Sequence, residues 1–82
     1  MSIIAIDEVK KAIGITGDYQ NETIQLWINE TEDFLRGAGV QDQNITTGIV
    51  ARGVLDLWNY GAGDGRFSDY FMKRATQLAL RN

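Results

Sequence analysis

Ile24, Trp27, Ile28, Thr31, Phe34 and Leu35 fall at i, i+3, i+4, i+7, i+10 and i+11. That spacing draws one stripe on a 3.6-residue helix and does not alternate as a half-buried strand would. The other face carries Glu22, Gln25, Asn29, Glu32, Asp33 and Arg36, so the segment from Asp18 or Tyr19 to Arg36 reads as an amphipathic helix of about five turns. Asp18 is the expected cap, and Gly37 and Gly39 supply the stop. Leu26 stands off the stripe, which puts it against a second neighbour or at a contact.

Three further segments carry helical signals. Ile6, Val9 and Ile13 recur at spacings of three and four within a short segment from Asp7, its expected cap, to Ile13, and Gly14 ends it. About two turns cannot stand alone, so this piece has to dock on the rest. From Thr46 or Thr47 to Tyr60 the chain is apolar nearly all round. Ile49, Val50, Val54, Leu57 and Trp58 form one face, and Arg52 and Asp56 are the only charges. Such a helix belongs at the centre of a bundle. Gly53 costs about 1 kcal/mol against alanine in mid-helix, and a close helix crossing would explain its presence. The last segment runs from Ser68 or Asp69 to Leu80, with Ser68 a good cap and Phe67 placed to staple onto Met72. Phe71, Ala75, Leu78 and Ala79 face inward, and Lys73, Arg74, Gln77 and Arg81 face out. The expectation is one all-α domain over residues 1–82: one short and three longer helices, packed around the apolar third.

The last two segments are joined by Gly61-Ala62-Gly63-Asp64-Gly65-Arg66, a cluster of three glycines that reads as a tight exposed turn. Four of the eight aromatics lie close to it: Trp58, Tyr60, Phe67 and Tyr70. The stripes place Trp27 and Trp58 together in the core. Tyr60, Phe67 and Tyr70 flank the turn and serve either a packed corner or a partner contact, since tyrosine is favoured at interface centres.

Chemistry is harder to find. The chain has no histidine, which removes the commonest general base and metal ligand, and no cysteine, which removes thiol chemistry and disulfides. Glu30 and Asp33 have a spacing that can begin a helical metal site, with Glu22 further back, but carboxylates alone form a solvated acidic face more readily than a metal centre. No catalytic group, cofactor site or metal site is expected. The glycine cluster lacks the preceding strand and the following lysine of a phosphate loop. Three basic residues on one short helix, Lys73, Arg74 and Arg81, are too few for a recognition helix in a net-acidic chain. No apolar run approaches the roughly 18 residues of a membrane span. The opening Met-Ser-Ile-Ile lacks the basic region of a signal peptide, so the default location is cytosolic.

The net charge of −3 conceals an asymmetry. Residues 1–43 carry eight acids and three bases, giving −5, while residues 44–82 carry three acids and five bases, giving +2. The bland reading is solvated faces. The sharper one is head-to-tail packing, in which the acidic half of one copy faces the basic half of the next. Candidate contact residues are then Glu22, Glu30 and Asp33 on the acidic side, and Tyr60, Arg66, Phe67, Tyr70, Lys73, Arg74 and Arg81 on the other.

Three stretches together resemble a known family. Ile6-Asp7-Glu8-Val9-Lys10-Lys11-Ala12-Ile13-Gly14-Ile15 is similar to a short first helix and turn. Asp18-Tyr19-Gln20-Asn21-Glu22-Thr23-Ile24 leads into Ile28-Asn29-Glu30-Thr31-Glu32-Asp33-Phe34-Leu35, a long helix with a polar start. An apolar helix then ends in an aromatic-Asn-Tyr-Gly turn before a last helix with Phe71 and Arg74-Ala75-Thr76-Gln77-Leu78. This order, over nearly the whole chain, resembles the head–tail connector proteins of tailed bacteriophages, also called head-completion or adaptor proteins. Many members of that family have a more basic turn after the third helix, where this chain has mostly glycine.

The resemblance implies a structural virion protein without enzymatic activity. It implies a ring of about a dozen copies at the head–tail junction, a closed heterologous assembly. Its partners would be copies of itself, the portal protein on one side and a stopper or tail-completion protein on the other, with DNA only as passing cargo. The alternative is a small helical protein that binds nucleic acid or a transcription partner, which predicts strongly salt-dependent DNA binding and a small defined oligomer.

Overall fold

A computed structural model describes residues 3–18, 20–60 and 67–81 of the protein. They form four α-helices: α1 (Ile6–Ile13), α2 (Asn21–Gly37), α3 (Thr47–Tyr60) and α4 (Asp69–Ala79), with a 3-10 turn at Asp42–Asn44 between α2 and α3. No strand occurs among the described residues, and the protein is all-α. None of these helices is long and apolar enough to cross a membrane.

The helix ends follow local chemistry, with two corrections. Asp7 lies inside the first turn of α1, and extended Ala5 occupies the cap position without a side-chain bond. A carboxylate in that turn still complements the helix dipole. Gly14 closes α1 in the left-handed conformation at φ +78°, and the Ile15 N–H reaches back to the Lys10 carbonyl at 2.9 Å. Asp18 does not cap α2, which begins at Asn21 after Gln20. Its Oδ1 instead accepts from Asn21 Nδ2 at 3.2 Å and faces Lys10 Nζ at 3.6 Å. The Lys10 ammonium also donates to Asn21 Oδ1 at 2.7 Å and to the Gly17 carbonyl, so one largely buried cation ties α1 to the start of α2.

The core gathers Val9 of α1, Ile24, Ile28 and Leu35 of α2, Val50 and Val54 of α3, and Phe71 and Leu78 of α4, all buried. Helix α3 packs against each of the other three helices, which fits its apolar surface. Gly53 makes the closest approach. A Cβ there would stand 2.5 Å from Thr31 Cγ2 and 2.8 Å from Phe71 Cε1. A glycine is needed because α2 and α4 both press on α3 at this point.

The tryptophans are not in the core. Trp58 is 37% exposed. Trp27 is half-buried and packs on the core's edge, with its ring centroid 5.5 Å from that of Trp58. Trp58 lies about 100° round the helix from the buried Leu57, which brings it to the rim of the inner face. Met72, the expected staple partner of Phe67, is 44% exposed. Phe67 stacks on Phe71, centroids 4.3 Å apart, and meets Phe34 at 4.9 Å.

Two carboxylates are buried where the helical pattern gave no sign of it. Glu32, assigned to the polar face, is 1% exposed. It accepts from the backbone N–H groups of Ile3 at 3.0 Å and Ile4 at 2.9 Å, so the chain entering α1 covers it. Asp56 is equally buried. Its Oδ2 accepts from Ser68 Oγ at 2.7 Å and from the Ser68 N–H at 3.0 Å. Bonds to a charged acceptor contribute about 1.5–3 kcal/mol each, against a desolvation cost of several kcal/mol per ion. Their main effect is therefore to fix where chain segments lie.

Candidate docking surface

The Ser68 cap positions the most distinctive surface of the molecule. Ser68 Oγ accepts from the Phe71 N–H at 3.2 Å, so α4 begins as its sequence predicts. Asp56, by gripping Ser68, fixes the start of α4 against the last two turns of α3. Between these helices runs a surface groove of about 600 Å³, lined by Thr46, Gly48, Ile49, Arg52, Tyr70 and Arg74. A shallower depression lined by Tyr70, Lys73, Arg74 and Gln77 shares two of these residues and extends the groove along α4.

The groove has a definite charge. Arg52 Nε lies 3.3 Å from Asp56 Oδ1 as an ion pair rather than an aligned hydrogen bond. The guanidinium carbon sits 5.3 Å from the centroid of the Tyr70 ring. Arg74 is held by its own donation to Gln77 Oε1 at 3.0 Å. Two guanidiniums therefore flank a tyrosine that is 62% exposed, above the buried side chain of Ile49. None of the described lining residues is acidic. Such a lining suits carboxylates at the rim and an apolar side chain on the floor.

The opposite charge gathers on α2. Glu22, Leu26, Glu30 and Asp33 are exposed and fall within an arc of about 80° at 3.6 residues per turn. Leu26, 60% exposed, stands among the three acids as an apolar knob. Asp33 lies 3.6 Å from Arg36, which also donates to Asp42 Oδ1 at 3.0 Å. That hydrogen bond, with the charges of Asp42, Glu32 and Asp33, raises the Arg36 guanidinium above its ordinary value despite partial desolvation. Arg36 thus neutralises the C-terminal end of the ridge and leaves Glu22 and Glu30 as its acidic part.

The structure separates the sequence candidates into groups. Tyr70, Lys73 and Arg74 come together at the groove, and Glu22, Glu30 and Asp33 share the ridge. Phe67 is half-buried and packs at a corner against Phe34 and Phe71. Arg81 is exposed past the end of α4, where its carbonyl accepts from Asn44 Nδ2 at 3.4 Å, away from the groove lining. Tyr60 ends α3, and its side chain, like Arg66 and the whole glycine turn, lies outside the described residues. Sequence reasoning missed Arg52, Thr46, Gly48 and Ile49 as groove residues. Arg52 carried one readable signal: it is the lone cation of an otherwise apolar helix, which requires a polar opening on that side.

No protein-family model matches the chain, and no curated protein or solved structure matches it.

Proposed function

We propose that the protein is a non-enzymatic structural subunit of the head–tail junction of a tailed bacteriophage, where copies associate head to tail into a ring on the portal and extend the DNA channel. The observation that carries this reading is the survival of the charge split in the folded chain. Every ion pair among the described residues stays within one half of the sequence: Lys10 with Asp18, Arg36 with Glu32, Asp33 and Asp42, and Arg52 with Asp56. Among the described residues the acidic half and the basic half do not neutralise each other, so complementary surfaces remain for association between copies. The four-helix architecture and the resemblance over nearly the whole chain supply the setting. Portal, stopper and tail-completion proteins are the partners that this setting implies, in the virion after assembly in the host cytoplasm.

The test is co-expression with the portal protein of the same genome, followed by electron microscopy of the complex. A ring of copies seated on the portal is the expected result. Absence of portal binding overturns the reading. Tight, strongly salt-dependent binding of the isolated chain to duplex DNA would replace it with the nucleic-acid-binding alternative.

A further inference from the structure

We infer that the α3–α4 groove receives the acidic ridge of α2 from a second copy of this chain. The inference rests on the assembly reading above and names its contact. The two surfaces complement each other in charge and in shape. The ridge offers Glu22 and Glu30 on either side of the Leu26 knob. The groove offers Arg52, Arg74 and Lys73 around the Tyr70 ring and Ile49. Carboxylates meet guanidiniums at the rim, and Leu26 settles on the tyrosine face at the centre, where water exclusion strengthens the surrounding pairs.

The lengths agree as well. Glu22 and Glu30 are about 12 Å apart along the axis of α2, and the groove wall from Tyr70 to Gln77 spans about 10 Å of α4. Glu22 and Glu30 make no ion pair among the described residues, so neither has to leave a partner within the molecule before docking. Ridge and groove are different surfaces, so a pair of copies still has one ridge and one groove free. Such a contact is heterologous and repeats from copy to copy, giving a ring where the rotation between copies closes.

The chain contains no cysteine, so introduced thiols report only on the positions chosen. Asn29→Cys lies on the ridge and Gln77→Cys on the groove wall, both exposed. Equal amounts of the two single variants, mixed at high concentration and oxidised, should give a mixed dimer in clear excess over either homodimer. Adding Arg74→Glu to the Gln77→Cys chain should lower that yield about tenfold, and adding Glu30→Arg to the Asn29→Cys chain should restore it. Lys73→Glu, at an exposed position, should act in the same direction, and circular dichroism of each variant checks that it is folded. No cross-link, a statistical mixture of dimers, or a yield indifferent to both charge reversals in folded chains overturns the contact. The two readings fail separately. Mixed dimers from a chain that never joins a portal remove the connector role and keep the contact. A portal-bound ring whose copies never give this cross-link does the reverse.

Discussion

Gly53 shows how much one side chain's absence can decide. A Cβ at that position would lie 2.5 and 2.9 Å from Thr31 Cγ2 and Oγ1 and 2.8 Å from Phe71 Cε1. Both neighbours are fully buried, and neither can swing aside as the tip of a long side chain could. Gly53→Ala gains about 1 kcal/mol of helix propensity but overpacks a site where such insertions cost about 1–3 kcal/mol. With two rigid neighbours in the way, the clash wins, and urea denaturation should show a net loss of about 2 kcal/mol. Thr31→Ala removes the two Thr31 atoms, so Gly53→Ala should cost about 1 kcal/mol less in that background. A Gly53→Ala protein as stable as the parent would mean that the three helices do not cross so closely. A glycine inside an apolar helix was legible because only close packing compensates its propensity cost. Glu32 was not, because its partners are backbone N–H groups of Ile3 and Ile4, far away in the chain, and a helical wheel shows only side chains.

At the level of elements, α3 and α4 are joined by one polar clamp. Asp56 takes two hydrogen bonds from Ser68, Ser68 takes one from the Phe71 N–H, and Arg52 leans on the pair from the groove side. Ser68→Ala removes the cap and should cost about 1–2 kcal/mol. Asp56→Ala should cost more, about 3 kcal/mol, because it leaves the Ser68 N–H and the Arg52 guanidinium without their buried acceptor. The two changes break the same linkage, so the double variant should lose clearly less than the sum in a denaturation cycle. Strict additivity would show that Asp56 and Ser68 act independently. The four helices themselves were legible in advance from their stripes, and Ser68 from its place before α4. The tryptophan placement was not. A wheel gives direction but not depth, and Trp58, 37% exposed on the last turn of α3, meets Trp27 at the edge of the core. The groove was half legible for a similar reason: Tyr70, Lys73 and Arg74 stand out on an amphipathic helix, but their partner Arg52 sits on α3, and no spacing in a sequence aligns two helices.

For the whole molecule the question is which force brings copies together. The apolar contact at the proposed meeting point is the Leu26 knob against the Tyr70 ring over Ile49, which is small beside the cost of immobilising two molecules. The isolated chain should therefore be monomeric or weakly associated, with a portal supplying the template. Charge then governs encounter more than lifetime. The Debye length shrinks from about 14 Å at 0.05 M salt to about 4 Å at 0.5 M, and surface charges no longer steer across the gap. Over that range the association rate of copies joining the template should fall about tenfold or more, while dissociation changes little. Leu26→Ala should do the opposite, leaving association nearly unchanged and speeding dissociation, because it removes apolar contact without altering the field. Kinetics of labelled chain binding to a portal-seeded surface separate the two effects. Salt-insensitive association would show that the unneutralised charge of the two halves plays no part in assembly, and Leu26→Ala acting on association instead would move the apolar contact ahead of the charges as the first to form.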